Sequence, residues 1–200
     1  NYNTLTALVE SQHEEGVMYA GSDDGLLHIT KNGGVTWDAI TPKGIKDGIV
    51  NSIEISPQDP AKAYVVIMRY KSMDLSSYVF KTNNYGKSWT KIVNGLDDPN
   101  GFVRVVRADK KREGLLYAGA ETGLWVSNND GAYWHRLQLN LPRVAINDLI
   151  IQDNDLVAAT SGRGFWILDD LGVLQHKNTD KKSMILVKPK PSYRIFGGTS

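Results

Sequence analysis

The sequence predicts an all-β fold, a β-propeller with about four blades of four antiparallel strands, which is part of a larger propeller. Three observations lead to this prediction. An eight-residue phrase ending in Trp occurs three times, short apolar runs separated by Gly-containing turns precede each copy, and no window of helical length keeps apolar residues at i, i+3 and i+4. Four strands per roughly 40–50 residues are typical of a propeller blade.

The repeated phrase has the pattern Ser or Thr, any residue, Asn, any residue, Gly, any two residues, Trp. Its three copies, here called the box motifs, cover residues 30–37, 82–89 and 127–134. A degenerate copy at 168–172 retains an acidic residue and a Gly but lacks the hydroxyl and the Trp. The copies start at positions 30, 82, 127 and 168, so they are 52, 45 and 41 residues apart, which sets the length of one blade.

The strand-like runs are short, rich in β-branched and aromatic residues, and bounded by turn residues. The first run of each unit lies at 5–9, 50–55, 102–107 or 146–151. We predict a partial propeller over residues 1–176, followed by a basic, Pro-containing tail or linker at 177–200. Its blades are expected at about 5–42, 49–94, 101–140 and 144–176. A β-sandwich is the alternative all-β fold, but it gives no reason for a repeated phrase.

Composition excludes several classes of protein. The 200 residues contain no Cys, which excludes a disulfide framework, a thiolate zinc site and a Cys nucleophile. Lys and Arg number 23 against 22 Asp and Glu, so bulk charge favours neither nucleic acid nor a membrane surface as partner. No apolar run approaches the ~18 residues of a membrane span, and no signal peptide is visible in the polar residues 1–4.

The box motif is expected to form a tight turn between the third and fourth strands of a blade. The Asn side chain accepts backbone N–H groups, the hydroxyl adds a further bond, and the Gly permits a positive φ. The Trp then places a large apolar surface between blades. The residues with this structural role are Thr30, Asn32, Gly34, Trp37, Thr82, Asn84, Gly86, Trp89, Ser127, Asn129, Gly131 and Trp134. A calcium loop needs several acids and a distal Glu, so we predict no metal and no cofactor.

In this pattern the phrase resembles the Asp-box, the repeat of the BNR class of β-propellers, which includes sialidases, xyloglucan-degrading enzymes and sortilin receptors. Residues 162–170, Gly-Arg-Gly-Phe-Trp-Ile-Leu-Asp-Asp, resemble the last blade of large bacterial sortilin-like BNR proteins that are often labelled glycosyl hydrolases. A Lys-Pro-x-Pro segment at 188–191 is similar to one that follows in those proteins. One departure is that all three boxes carry Asn where the family commonly has Asp. The resemblance implies a secreted, periplasmic or cell-surface bacterial protein.

Blade connectivity sorts the loops into two rims. The box rim carries the first-to-second and third-to-fourth turns, and the linker rim carries the second-to-third turns and the links between blades. In the family that the phrase resembles, the box rim lies away from the active site, so we predict binding on the linker rim. The candidate binding residues there are Asp23, Asp24, Arg69, Tyr70, Lys71, Asp74, Glu121 and Arg163.

Each candidate also has a structural explanation. The insert 69–77 is longer than a hairpin turn needs. It is either a tolerated insertion or a loop that contacts a ligand. Asp23 and Asp24 form either a paired-carboxylate site or an ordinary Asp-Gly turn whose adjacent side chains point apart. Arg163 either grips a carboxylate or is a solvated residue. The four His show no metal spacing, and no Ser-His-Asp arrangement can be argued from them.

Two functions are compatible with the sequence. A glycoside hydrolase requires two carboxyl groups, and only Asp74 and Glu121 are weak catalytic candidates. A sialidase-like site needs three converging Arg, but Arg104 and Arg107 are three positions apart and should point to opposite faces of a strand. We therefore favour a non-catalytic, sortilin-like module that binds a protein, peptide or glycan, or that serves as a scaffold. The alternative is a sialidase- or xyloglucanase-like hydrolase acting on extracellular polysaccharide.

Partners follow from the same argument. We expect a glycan or a protein or peptide ligand, together with the remaining blades of a longer chain or self-association, because open blade edges favour pairing. Nucleic acid and a membrane span are not expected. The apolar run 184–187 is the candidate segment for closing the ring with the last blade.

Overall fold

In the computed structural model, four antiparallel sheets succeed one another along the chain, and within each sheet every strand pairs with its neighbours in sequence. The structure describes residues 3–99, 101–176, 186 and 188. This arrangement confirms the predicted all-β fold and its division into propeller blades. The predicted tail 177–200 and the ring-closing run 184–187 lie outside the described residues, apart from residues 186 and 188.

Blades 1 to 3 each contain four strands. Blade 1 consists of β1 (Leu5–Glu10), β2 (Met18–Ser22), β3 (Leu27–Thr30) and β4 (Asp38–Ala39). Blade 2 consists of β5 (Ile49–Ile55), β6 (Ala63–Met68), β7 (Val79–Thr82) and β8 (Thr90–Lys91). Blade 3 consists of β9 (Val103–Ala108), β10 (Leu116–Ala120), β11 (Gly123–Ser127) and β12 (His135–Arg136).

Blade 4 contains β13 (Ile146–Gln152), β14 (Asp155–Thr160) and β15 (Phe165–Leu168), followed by the short helix α1 (Gly172–Gln175). The degenerate box explains this difference, because it lacks the hydroxyl and the Trp that organise the turn in the other blades. Buried Leu171 packs into the apolar cluster between blades 3 and 4. The position equivalent to the start of a fourth strand is residue 176, and residues 177–185 lie outside the described part of the chain.

The first strand of each blade contains an irregularity at the same place. Residues Thr6, Asn51, Arg104 and Asn147 fall at the register shifts of β1, β5, β9 and β13. A bulge leaves one residue unpaired and bends its strand. In blades 1 and 2 this side chain reaches the next blade, since Thr6 Oγ1 donates to the Val50 carbonyl at 2.8 Å and Asn51 Nδ2 to the Arg104 carbonyl at 2.7 Å. The first strands of neighbouring blades are thereby joined.

The hydrophobic core lies between blades rather than within them. One apolar cluster joins blades 1 and 2, a second joins blades 2 and 3, and a third joins blades 3 and 4. A single blade is too thin to bury its own faces, so burial depends on a neighbour. At ~25 cal/mol per Å² of apolar area, these interfaces dominate the stability of the fold.

The two end blades present faces that the inner blades bury. On blade 4, Phe165 is 78% exposed and Ile167 is also exposed, whereas their counterparts in blade 3, Leu124 and Val126, are buried against blade 4. On blade 1, Trp37 is 40% exposed, whereas its counterpart Trp134 is 1% exposed. The outer faces of blades 1 and 4 therefore expose apolar side chains at positions that are buried between neighbouring blades elsewhere, as expected for a partial propeller.

Candidate functional site

The box rim consists of hydrogen-bonded turns that repeat from blade to blade. In blade 1, Asn32 Oδ1 accepts the Thr36 amide and Thr30 Oγ1 accepts the Gly34 amide, both at 2.9 Å. The same pair of bonds is found in blade 2, from the Ser88 and Gly86 amides, and in blade 3, from the Tyr133 and Gly131 amides. The polar groups of the box motifs are thus engaged within their own turns.

The Trp of each inner box reaches across to the preceding blade. Trp89 Nε1 donates to the Ile40 carbonyl at 2.6 Å, and Trp134 Nε1 donates to the Ile92 carbonyl at 2.9 Å. The same Ile residues lie over the box glycines: a Cβ on Gly86 would lie 2.5 Å from Ile40 Cδ1. Each box turn is therefore also a contact between blades, which accounts for its Gly and its Trp.

On the linker rim, the insert 69–77 is anchored by Arg69. Its guanidinium binds Asp47 of the preceding linker at 2.6 Å and Asp74 at 2.7 Å, and Arg69 Nη1 donates to the Tyr78 hydroxyl at 3.0 Å. Ser72 Oγ donates to the second oxygen of Asp47 at 2.5 Å. The base of the insert is therefore tied to the preceding linker and to the start of the next strand.

The outer part of the insert is apolar and exposed. Met73 is 90% exposed in a left-handed backbone conformation, and Tyr70 and Leu75 are also exposed. The Tyr70 ring stacks on Phe102 of blade 3, with centroids 5.9 Å apart and an angle of 12° between the planes. The insert thus presents a fixed apolar surface that extends from blade 2 to blade 3, with exposed Lys71 beside it.

Glu121 lies on the blade 3 part of this rim and forms an ion pair with Arg104. The Arg104 guanidinium also lies 5.5 Å from the centroid of the Phe102 ring. Arg107 has different partners, among them Asp148 at 2.7 Å and the Leu149 carbonyl at 2.8 Å. Arg104 lies at the register shift of β9, and the two guanidinium groups share no partner among the described hydrogen bonds and ion pairs.

The remaining predicted rim residues are dispersed. Asp23 Oδ1 accepts the Thr4 amide at 2.9 Å, while Asp24 Oδ1 accepts the Ser22 hydroxyl, so the two carboxylates bind different parts of the chain. Arg163 belongs to the exposed turn of blade 4, where its carbonyl accepts Trp166 Nε1 at 3.1 Å. Neither the Asp pair nor Arg163 joins the Arg69 network in the described hydrogen bonds and ion pairs.

Sequence reasoning missed three residues of the rim. Asp47, Tyr78 and Phe102 complete the contacts of the insert, although none was a candidate. The sequence could have indicated Asp47, because it is an acidic residue in a linker on the same rim as Arg69 of the insert. A second acid in a linker, Asp98, accepts bonds from Thr122 at 2.7 Å, Arg136 at 3.0 Å and Arg143 at 3.1 Å.

The protonation states of the rim acids follow from these contacts. The hydrogen bond from the Tyr78 hydroxyl holds the pKa of the Asp74 carboxyl below its usual range, and the bonds from Ser72 and Arg69 do the same for Asp47. Burial raises the pKa of Glu54, but that carboxylate accepts the Ala108 amide at 3.0 Å. Among the residues that the structure describes, no group of three His, Asp or Glu is arranged to hold a metal ion.

Four sheets joined face to face, with the links and second-to-third turns on one rim and the first-to-second and box turns on the other, define a β-propeller. No protein-family profile matches the chain. A xyloglucanase from Hypocrea jecorina is 27% identical over 138 residues, which cover 62% of this chain and 16% of that protein. The chain therefore spans only a small part of the length of its curated relative.

Solved propellers resemble the chain in structure. The structure of YCF48 bound to D1 peptide matches with a TM-score of 0.62 at 19% identity, over 84% of this chain and 52% of that chain. The GH74 xyloglucanase from Xanthomonas campestris matches with a TM-score of 0.63 at 13% identity, over 82% and 29%. An extracellular domain from B. thetaiotaomicron matches with a TM-score of 0.58 at 15% identity, over 82% and 21%. At these identities the matches show the fold.

One further observation bears on localisation. No helix in the described part of the chain is long and apolar enough to cross a membrane.

Proposed function

We propose that this chain is a non-catalytic propeller module of the Asp-box, sortilin-like kind, which binds a peptide segment of a partner protein on its linker rim. One observation carries the proposal: Tyr70, Met73 and Leu75 form an exposed apolar surface on a base that Arg69 fixes. A surface ordered before binding loses less conformational entropy when a ligand arrives. The structural similarity to a propeller with a bound peptide supports the same class of ligand.

The charges around the insert favour binding over catalysis. Asp74 and Glu121, the only catalytic candidates, are each paired with an Arg. A glycosidase acid must be protonated near neutral pH, which requires a raised pKa, whereas the pKa of Asp74 is lowered. The glycoside hydrolase remains the second candidate, because the similarity to xyloglucanases favours it.

A selection from a phage-displayed random peptide library, followed by calorimetry, tests the module. We expect Met73→Asp to weaken binding of the selected peptides at least about tenfold, because it places a charge in an apolar contact. Val35→Asp is the matched control, since Val35 is an apolar residue on the box rim that is 81% exposed. Equal loss in both variants would contradict a linker-rim site.

The hydrolase alternative is tested on the same protein. Release of reducing sugar from xyloglucan or from aryl glycosides, abolished by Asp74→Asn or Glu121→Gln, would overturn the non-catalytic proposal. Binding of glycans without turnover, on the same rim, would replace the peptide by a glycan and leave the module non-catalytic.

We also propose that the module is secreted, periplasmic or on the cell surface of a bacterium, and that its end faces pack against further blades or a second copy. The absence of Cys and the similarity to an extracellular domain support the location. Exposed Phe165 and Ile167 support the second part, because contiguous apolar surface marks an interaction site. The mass in solution, by light scattering, should fall towards one copy in Phe165→Glu if a second copy covers this face.

A further inference from the structure

A cleft opens on the box rim between blades 1 and 2, away from the proposed peptide surface. It encloses about 600 Å³ between β4 with the residues after it and the box turn of blade 2. Its lining includes the apolar side chains of Ile29, Ile40 and Phe80, together with Trp89. Ile29 and Phe80 are buried and form part of the apolar cluster between blades 1 and 2. The cleft therefore has an apolar floor within a blade interface.

The next interface along the chain, between blades 2 and 3, is closed at the equivalent place. There the Trp134 amide donates to the Asn94 carbonyl at 2.8 Å, and Gly95 lies so close that a Cβ would be 2.3 Å from the Trp134 carbonyl oxygen. Counting from the box motifs, Pro42 and Lys43 replace Asn94 and Gly95. A Lys side chain does not fit in the space that Gly95 occupies, so the chain after β4 does not close over Trp89.

Positive charge surrounds the opening. Lys31, Lys43 and Lys87 line the cleft, all three are exposed, and Asp38 is the only acid in its described lining. Lys31 Nζ lies 3.9 Å from the centroid of the Tyr85 ring, which places this charge at the mouth. Three Lys against one Asp leave an excess of two positive charges in this lining, which favours an anionic ligand over a cationic one.

The backbone beside the cleft favours an extended ligand. β4 pairs only with β3 in the described sheet, so its outer edge faces the cleft without a strand partner. An exposed edge can pair with an extended peptide, whose alternate side chains then enter the pocket. A floor of Ile, Phe and Trp suits one apolar or aromatic side chain of such a peptide.

We propose that this cleft binds an extended acidic peptide, with one apolar side chain on the floor and its carboxylates beside Lys31, Lys43 and Lys87. This cleft shares no residue with the peptide surface on the linker rim, so the proposal for the cleft can be tested independently of the function proposed above. Binding of the peptide requires both the positive charges of the three Lys side chains and the gap that Pro42 and Lys43 leave open.

The test uses a fluorescein-labelled peptide with a central Phe flanked by Asp and Glu, and measures anisotropy at low ionic strength. We expect Lys31→Ala/Lys43→Ala/Lys87→Ala to weaken binding about tenfold and added salt to weaken the wild-type complex. The matched control, Lys46→Ala/Lys110→Ala/Lys111→Ala, removes the same charge from exposed Lys outside the cleft lining and should leave binding unchanged. Circular dichroism establishes that both variants fold.

A second variant separates shape from charge. Pro42→Asn/Lys43→Gly copies the pair that closes the next interface and should abolish binding although Lys31 and Lys87 remain. Replacing the central Phe of the probe by Gly should weaken binding about tenfold. Equal affinity of the wild type and the triple Lys variant would overturn the proposal, as would tight binding of a sulfated oligosaccharide that the acidic peptide fails to displace.

Discussion

The two complete box interfaces, between blades 1 and 2 and between blades 2 and 3, are built from one repeated phrase but end differently. Both have a Trp indole bound to the carbonyl of an Ile in the preceding blade. Only the second is closed, because Asn94 and Gly95 pack on Trp134, while Pro42 and Lys43 leave Trp89 beside a cleft. The repeat thus specifies the contact, and the residues just after it decide whether the interface is also a surface for binding.

The largest difference is expected for the Trp residues. Trp134→Ala should lower the free energy of unfolding by about 3–5 kcal/mol, the usual cost of removing a large buried aromatic residue. Trp89→Ala should cost less, because its side chain is only half-buried, and Trp37→Ala least, at about 1 kcal/mol or below, because that side chain is 40% exposed. Urea unfolding of the three variants measures these losses of unfolding free energy. Equal losses in all three variants would contradict the expected order.

The closing residues provide the next comparison. Gly95→Ala should destabilise the protein by about 1–3 kcal/mol, since its φ is +89° and the new Cβ would meet the Trp134 carbonyl oxygen. Lys43→Ala, at the equivalent position of the open interface, should change stability by less than about 0.5 kcal/mol. Thermal unfolding of both variants measures these changes in stability. An unchanged stability of Gly95→Ala would show that this interface tolerates opening.

A smaller effect is expected at a Tyr that the repeat places in both interfaces. The Tyr64 hydroxyl donates to Asp130 of the next box at 2.5 Å, whereas the buried Tyr19 hydroxyl has no hydrogen-bond partner among the described residues. Tyr64→Phe should therefore cost about 1–3 kcal/mol, and Tyr19→Phe should be close to neutral. Their unfolding curves in urea decide this, and a costly Tyr19→Phe would indicate a contact that the structure does not show.

The smallest effect concerns alkaline pH. Burial raises the pKa of Tyr19 and Tyr64 above the ordinary value in the folded protein. A raised folded pKa contributes stability that is fully present below the unfolded value of about 10 and is lost as pH rises beyond it. Stability should fall above pH ~10 in the wild type and fall less steeply in Tyr19→Phe/Tyr64→Phe, as measured by urea midpoints between pH 9 and 11.

The blade pattern was predictable because it depends on local chemistry. The box motifs, the short β-branched runs and the Gly-containing turns each specify their own structure, and repetition makes the signal strong. The predicted order of strands within blades 1 to 3 is therefore confirmed. Blade 4 differs where its box lacks the hydroxyl and the Trp, which shows that the motif residues organise that turn.

The contacts of the linker rim were less accessible, because they join residues far apart in sequence. The insert was recognisable by its length, but its anchoring to Asp47 and its stacking on Phe102 depend on how blades 2 and 3 meet. The register shift at Arg104 is likewise a property of the paired strands, which the sequence of β9 alone does not reveal. The cleft is open because Lys43 stands at the position of Gly95 in the next interface. This difference can be interpreted only when the two interfaces are compared in the structure.

The Asn residues of the box motifs have one further consequence. Asn32, Asn84 and Asn129 hold their turns through amide oxygens, and an amide carries no proton that is gained or lost in the biological range. An Asp in the same place would weaken its backbone bonds on protonation. The hydrogen bonds that these Asn side chains make within the box turns are therefore independent of acidity, so each turn retains them in an acidified environment in which a carboxylate at the same place would loosen its backbone bonds.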